Sequence, residues 1–138
     1  MQTQVRIIQS AILPIVVAAI WISFSEFVRN ELLLKSFWTS HYDTLGLTFP
    51  SAPSNGAIWV VWSFIFAMSI YILATKFTTT QTIAVAWLMG FVLMWLVIGN
   101  LNVLPFAMLL YAIPLSLVET AVATLIVKKL SPQTQQSQ

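Results

Sequence analysis

The chain has 138 residues, 59% of them apolar and 7% charged, with six Lys or Arg against four Asp or Glu. Soluble domains carry roughly 25% charged residues, so this composition excludes an ordinary water-soluble domain and makes lipid the expected solvent. A net charge of +2 is too small for a phosphate-tracking surface, which excludes nucleic acid as a partner. The absence of cysteine leaves neither a disulfide framework nor a thiolate metal site.

A membrane helix needs roughly 20 mainly apolar residues to cross about 30 Å of hydrocarbon. The first candidate, residues 7–24, contains no charge and follows Arg6. An export signal is the competing reading, since Ser23 and Ser25 stand where a cleavage site wants small residues. The run is longer than the usual signal core, carries Trp21 and precedes three further apolar segments, so it is read as a retained span.

The stretch SEFVRNELLLK follows, with four of the chain's charges: Glu26, Arg29, Glu31 and Lys35. At 1.5 Å per residue Glu26 stands about 30 Å beyond Arg6, at the outer boundary of the first span. Glu26, Arg29 and Asn30 share one helical face, and Glu31 with Lys35 is an i, i+4 pair. Phe37 and Trp38 add apolar area, so the stretch predicts an amphipathic segment along the outer headgroups, opening an outer loop over 25–55. His41 and Asp43 complete an interfacial polar cluster of Glu26, Arg29, Asn30, Glu31, His41 and Asp43. His41 and Asp43 are two apart, which suits one face of a strand rather than a helix, and a single histidine is a poor nucleus for zinc. No metal, other cofactor or catalytic residue is therefore assigned.

The remaining spans fall at about 56–75, 80–98 and 106–127, parted by FPSAPSNG, KFTTT and NLNVLP. Proline and Asn-Gly mark the first break as a turn, and the short later links imply antiparallel neighbours. GNLN, residues 99–102, is expected to cap the third helix, and Pro114 to kink the fourth. The tail 131–138, SPQTQQSQ, is expected to be disordered.

Glu119 is the most informative residue. It lies nine positions before Lys128, about 13 Å inside the boundary, where an acidic side chain costs about 2.5 to 3.5 kcal/mol on insertion scales. Ala112, Ser116, Thr120, Ala123 and Thr124 form a small-residue stripe beside it, so the acid is expected to face a neighbouring helix, not lipid. Residues at its depth are Pro14, which cannot donate to the carbonyl of Ser10, Ser69 on the second helix and Trp87 on the third. Desolvation favours the neutral form of the acid at this depth.

Arg6, Lys76, Lys128 and Lys129 collect on one side of four spans, against Arg29 and Lys35 on the other. The positive-inside rule then puts both termini in the cytoplasm, with the chain in the cell (inner) membrane. Trp21, Trp38, Trp59, Trp62 and Trp95 fall toward the outer end, with Trp87 the exception.

The order of features, a first span, the linker LLLKSFW and a third span reading AWLMGFVLMW, resembles small uncharacterised four-helix bacterial membrane proteins. The likeness covers most of the chain and implies the fold without importing any chemistry. Small multidrug transporters also have four helices and a membrane glutamate, but theirs is on the first helix with short loops, whereas Glu119 is on the last; their function is not carried over.

The sequence thus predicts a single all-α domain over 1–138, an integral membrane bundle of four antiparallel helices with an amphipathic segment after the first. The leading function is a non-enzymatic accessory or self-associating bundle, whose partners are the bilayer and either further copies or a larger membrane complex. The alternatives are an oligomeric proton-coupled small-solute transporter or channel using Glu119, and an outward-facing enzyme using the cluster over 26–43. In all three the chain resists an alkaline carbonate wash of isolated membranes and stays in the pellet; its release into the supernatant contradicts the lipid assignment.

Overall fold

The computed structural model describes residues 2–131, with side chains from Ser10 onward, and every regular element in it is a helix. The helices are α1 (Gln2–Phe27), α2 (Lys35–Thr44), α3 (Pro53–Ala74), α4 (Thr79–Trp87), α5 (Leu93–Asn100) and α6 (Leu109–Leu130). A π-helical turn, Val28–Leu33, extends α1, a second, Leu88–Val92, joins α4 to α5, and a 3-10 turn, Phe106–Met108, leads into α6. Four continuous helical stretches are long and apolar enough to cross a membrane: Ser10–Leu33, Pro53–Ala74, Thr79–Asn100 and Phe106–Leu130.

Local sequence explains most of the boundaries. Pro53 stands in the first turn of α3, where its missing N–H is not needed. Thr78 and Gln81 form a reciprocal capping box at the start of α4, the Thr78 hydroxyl accepting from the Gln81 N–H at 3.3 Å. After α5, Asn102 takes a left-handed φ of 58° and the Val103 N–H returns to the Ile98 carbonyl at 3.0 Å, so the asparagine of GNLN makes the turn. Gly46 takes φ 68° just beyond α2, a conformation that costs glycine nothing. Pro14 and Pro114 both lie inside continuous helices, Pro14 buried and Pro114 exposed.

One expectation changes: the first helix does not end near Phe24 but continues to Leu33, and after a bend at Leu34 the amphipathic segment forms α2 as far as Thr44. The reason is visible in the burial: Glu26 and Arg29 point inward, so the chain need not leave the bundle to solvate them. The expected tail, Ser131 apart, lies outside the described residues; Ser131 closes α6 by bonding the Val127 carbonyl through its N–H at 2.9 Å and its hydroxyl at 2.6 Å.

α1 packs chiefly on α3 and α6, and α6 also receives α4 and α3. Small residues permit the close approach: Ala18 and Ala19 of α1 and Ala112 and Ala123 of α6 are buried. Toward α3 and α4 the core is aromatic. Trp62 stacks on Phe66 at 4.9 Å between ring centres, Phe66 meets Phe91 edge-on at 5.7 Å, and Phe91 meets Trp95 at 5.8 Å.

Gly90, in the second π turn, lies under this stack. A Cβ there would sit 2.6 Å from the Phe66 ring, and Phe66 is itself held between Trp62 and Phe91. Gly90→Ala is therefore expected to destabilise the protein by about 1–3 kcal/mol through overpacking. Gly56→Ala, whose Cβ meets nothing within 4 Å, is the matched control. Thermal unfolding in detergent compares the two, and equal midpoints would refute the packing argument.

Candidate functional site

The first helix is amphipathic in the reverse of the usual sense where it approaches Leu33. Phe24, Phe27, Leu32 and Leu33 are 61%, 56%, 64% and 54% exposed, while Glu26 and Arg29 are 4% and 5% exposed. An apolar face turned outward with charges turned inward suits an apolar surrounding, and it demands that the buried charges find partners within the protein.

They do so across two helices. Arg29 donates from Nη1 to Glu119 Oε2 of α6 at 2.7 Å and from Nη2 to Glu26 Oε1 of its own helix. One planar guanidinium thus bridges two carboxylates, one 90 positions away in sequence and the other three. Side chains on a helix lean toward its N-terminus, so Arg29, emerging near the end of the first helix, reaches back into the bundle toward Glu119. The guanidinium carbon lies over the Phe91 ring, 4.9 Å from its centre. The two π-helical turns therefore meet here, Arg29 belonging to one and Phe91 to the other. A π turn inserts an extra residue and re-aims the side chains around it, which is why such turns recur at functional positions.

A shell of hydrogen bonds fixes the triad. Glu26 Oε2 accepts from Asn30 Nδ2 at 2.8 Å, and Asn30 Oδ1 accepts from Trp38 Nε1 of α2 at 3.2 Å. Trp21 Nε1 donates to the Glu119 backbone carbonyl at 3.0 Å. One turn along α6, Trp87 Nε1 donates to Ser116 Oγ at 2.9 Å, and Ser116 in turn donates to the Ile113 carbonyl at 2.9 Å. Glu119 Oε1 is buried and accepts no hydrogen bond, and the buried hydroxyls of Thr82 and Thr124 also lack a partner.

The sequence-predicted residues are thereby divided. Glu26, Arg29 and Asn30 come together, but inside the bundle instead of at an outer interface. Glu31 pairs with Lys35 at 2.6 Å on the exposed side, and Asp43 is exposed. His41 Nε2 lies 2.9 Å from the Asn102 carbonyl, tying α2 to the loop after α5. The depth-matched partners suggested for Glu119 serve other groups: Ser69 donates to the Ile65 carbonyl and Trp87 to Ser116. The partner is Arg29, which a straight count of depth placed at the boundary because it ignored the length and direction of the arginine side chain. The missed signal was a charge balance: Arg29 is the basic residue in the last turn of the first apolar helix, and Glu119 is the acid that needs one.

No described group of three or more His, Asp or Glu side chains is arranged to hold a metal ion. A groove of about 510 Å³ between α3 and the α4–α5 helix is lined by Trp62, Phe66, Ser69 and Gly90 among others, and no triad residue is in its wall. A second hollow, about 480 Å³, lies beside His41 and is bounded by Ser36, Ser40, Thr44 and Phe106, without Glu31 or Asp43. Comparison with protein-family models, with curated proteins and with solved structures finds no match to this chain.

Removing the shared cation leaves two buried acids unpaired. Arg29→Met is expected to cost about 3–5 kcal/mol, the usual penalty for breaking a buried pair from one side. Lys35→Met, which breaks only the exposed pair with Glu31, is expected to cost less than about 1 kcal/mol. Adding Glu26→Gln and Glu119→Gln to Arg29→Met should recover much of the loss. Unfolding midpoints of the four proteins decide the matter, and an Arg29→Met variant as stable as Lys35→Met would remove the triad from its structural role.

Proposed function

We propose that the chain is a non-enzymatic component of the cell (inner) membrane, a bundle of four antiparallel spans that acts as an accessory subunit or by associating with itself. The observation that carries this reading is the inward consumption of charge. Glu26, Arg29 and Glu119 pair with one another in the interior, while large apolar side chains such as Ile58, Leu96, Leu110 and Leu125 are more than half exposed along the long helices. A surface of that kind offers contact to acyl chains or to other apolar helices and little to a polar substrate.

The orientation with both termini cytoplasmic gains support from the ends of the bundle. Lys128 Nζ donates to the Phe77 carbonyl at 2.7 Å, so the α3–α4 turn, with Lys76, and the end of α6, with Lys128 and Lys129, share one end. His41 and Asn102 join the α2 segment and the α5–α6 loop, leaving Lys35 away from that basic end. With Arg29 sequestered, the basic residues divide four to one, counting Arg6 by its place before the first span.

The enzyme reading is not favoured: Glu26 and Asn30 bond within the bundle, Arg29 bridges Glu26 and Glu119, His41 bonds the Asn102 carbonyl and Asp43 is exposed. An accessory or self-associating role predicts that the chain leaves the membrane in mild detergent with a stable partner or as a homo-oligomer. Light scattering that counts the protein mass separately from detergent reads this directly, and a lone monomer would sink the proposal.

A further inference from the structure

Three buried ionisable groups meet in the triad, and their charges do not balance: one guanidinium faces two carboxyl groups. Among the described side chains, the remaining elements supply no further buried cation. Among the described residues, the buried polar side chains other than these three are Ser63 of α3, Thr82 of α4 and Ser116, Thr120 and Thr124 of α6, none of which carries charge. The element that closes the cluster from the α4–α5 side presents Phe91, and the polar neighbours from the first helix and α2 are Trp21, Ser25, Asn30 and Trp38, none of which carries charge. With both acids ionised the cluster would hold an uncompensated negative charge in a fully enclosed, apolar setting, where such a charge is strongly disfavoured.

The four carboxyl oxygens show where the balance is made. Glu26 Oε1 and Glu119 Oε2 each accept from Arg29, and Glu26 Oε2 accepts from Asn30. Glu119 Oε1 alone makes no hydrogen bond, although it is completely enclosed and the Ser25 side chain lies beside the carboxyl. An ionised carboxyl with an oxygen so placed holds buried charge that no donor meets, and protonation there removes that charge.

We propose that the Glu26–Arg29–Glu119 triad is a binding site for one proton, carried on Glu119 Oε1, so that the cluster holds a guanidinium, one carboxylate on Glu26 and one carboxylic acid on Glu119. The proton comes from the aqueous phase and occupies the one vacant acceptor, and its departure leaves the triad with a net negative charge. The proposal is separate from the accessory role, since proton occupancy is independent of how many copies or partners assemble.

The balance makes a distinctive demand. If the proton is there because two acids share one cation, then neutralising either acid by substitution removes the need for it. In Glu26→Gln, Arg29 and Glu119 form a neutral pair and Glu119 ionises. In Glu119→Gln, the site is gone. A glutamate protonated by burial alone would keep its proton in Glu26→Gln.

Infrared spectroscopy of the full chain in phosphatidylcholine vesicles at neutral pH, with hydrogen–deuterium exchange to identify carboxylic acid bands, tests this. The expected result is one protonated carboxyl per chain in the unmodified protein, undiminished in Glu31→Gln and lost in both Glu26→Gln and Glu119→Gln. Absence of the band from the unmodified protein, or its survival in either of the latter variants folded as judged by thermal unfolding, overturns the proposal. The unmodified protein decides the first arm even if one variant fails to fold.

Discussion

A guanidinium enclosed in protein must have its donors met, and the arrangement of this chain depends on where Arg29 finds its acceptors. One acceptor, Glu26, is local, one turn back on the same helix. The other, Glu119, belongs to the last helix, so the bridge ties the first long helix to α6. Breaking such a bridge from one side leaves an uncompensated buried charge, whereas forming it recovers much of the cost of removing the charged groups from water. The helix cannot end at Phe24 under this constraint. It must run on past Glu26 and Arg29 with both turned inward, which leaves Phe24, Phe27, Leu32 and Leu33 on the outside.

The aromatic core answers to the same residue. Phe91 carries the guanidinium over its ring and also meets Phe66, Trp62 and Trp95. The position of the cation is thereby coupled to the packing of α3 against the α4–α5 helix, and Gly90 is small because the Phe66 ring occupies the space its side chain would fill. Both π turns lie at this meeting point. An extra residue in each turn rotates the side chains around it, and at these two places the rotation presents Arg29 and Phe91 to each other.

Much of the frame was legible in the sequence, because four apolar runs of the right length need only composition to be seen. Glu119 announced itself by being an acid within such a run, and the small residues around it indicated a helix neighbour. Glu26, Arg29 and Asn30 were recognisable as one face. Periodicity cannot give the direction in which a face points: the same i, i+3, i+4 spacing serves a face turned to water and one turned to a buried acid. Charges usually seek water, which favours the first arrangement when the sequence stands alone. The bridge from position 29 to 119 is non-local, and the π turn that helps it carries no obvious sequence mark in VRNELL, so neither could be read from the local pattern.

Apolar contacts alone discriminate poorly among helices with similar surfaces, and the long helices here are rich in interchangeable Leu, Ile, Val and Met. Directional bonds select among the alternatives. Arg29 to Glu119 and Trp21 to the Glu119 carbonyl fix the register of α1 on α6, while Trp87 to Ser116 fixes that of α4 on the same helix. All three use donors that have few other acceptors inside the bundle, so a slip of one turn would strand an indole N–H or a charge at a cost of kilocalories. The polar groups of α6 accordingly set the orientation of its neighbours: Glu119 toward α1 and Ser116 toward α4 make the last helix the reference against which two others are placed.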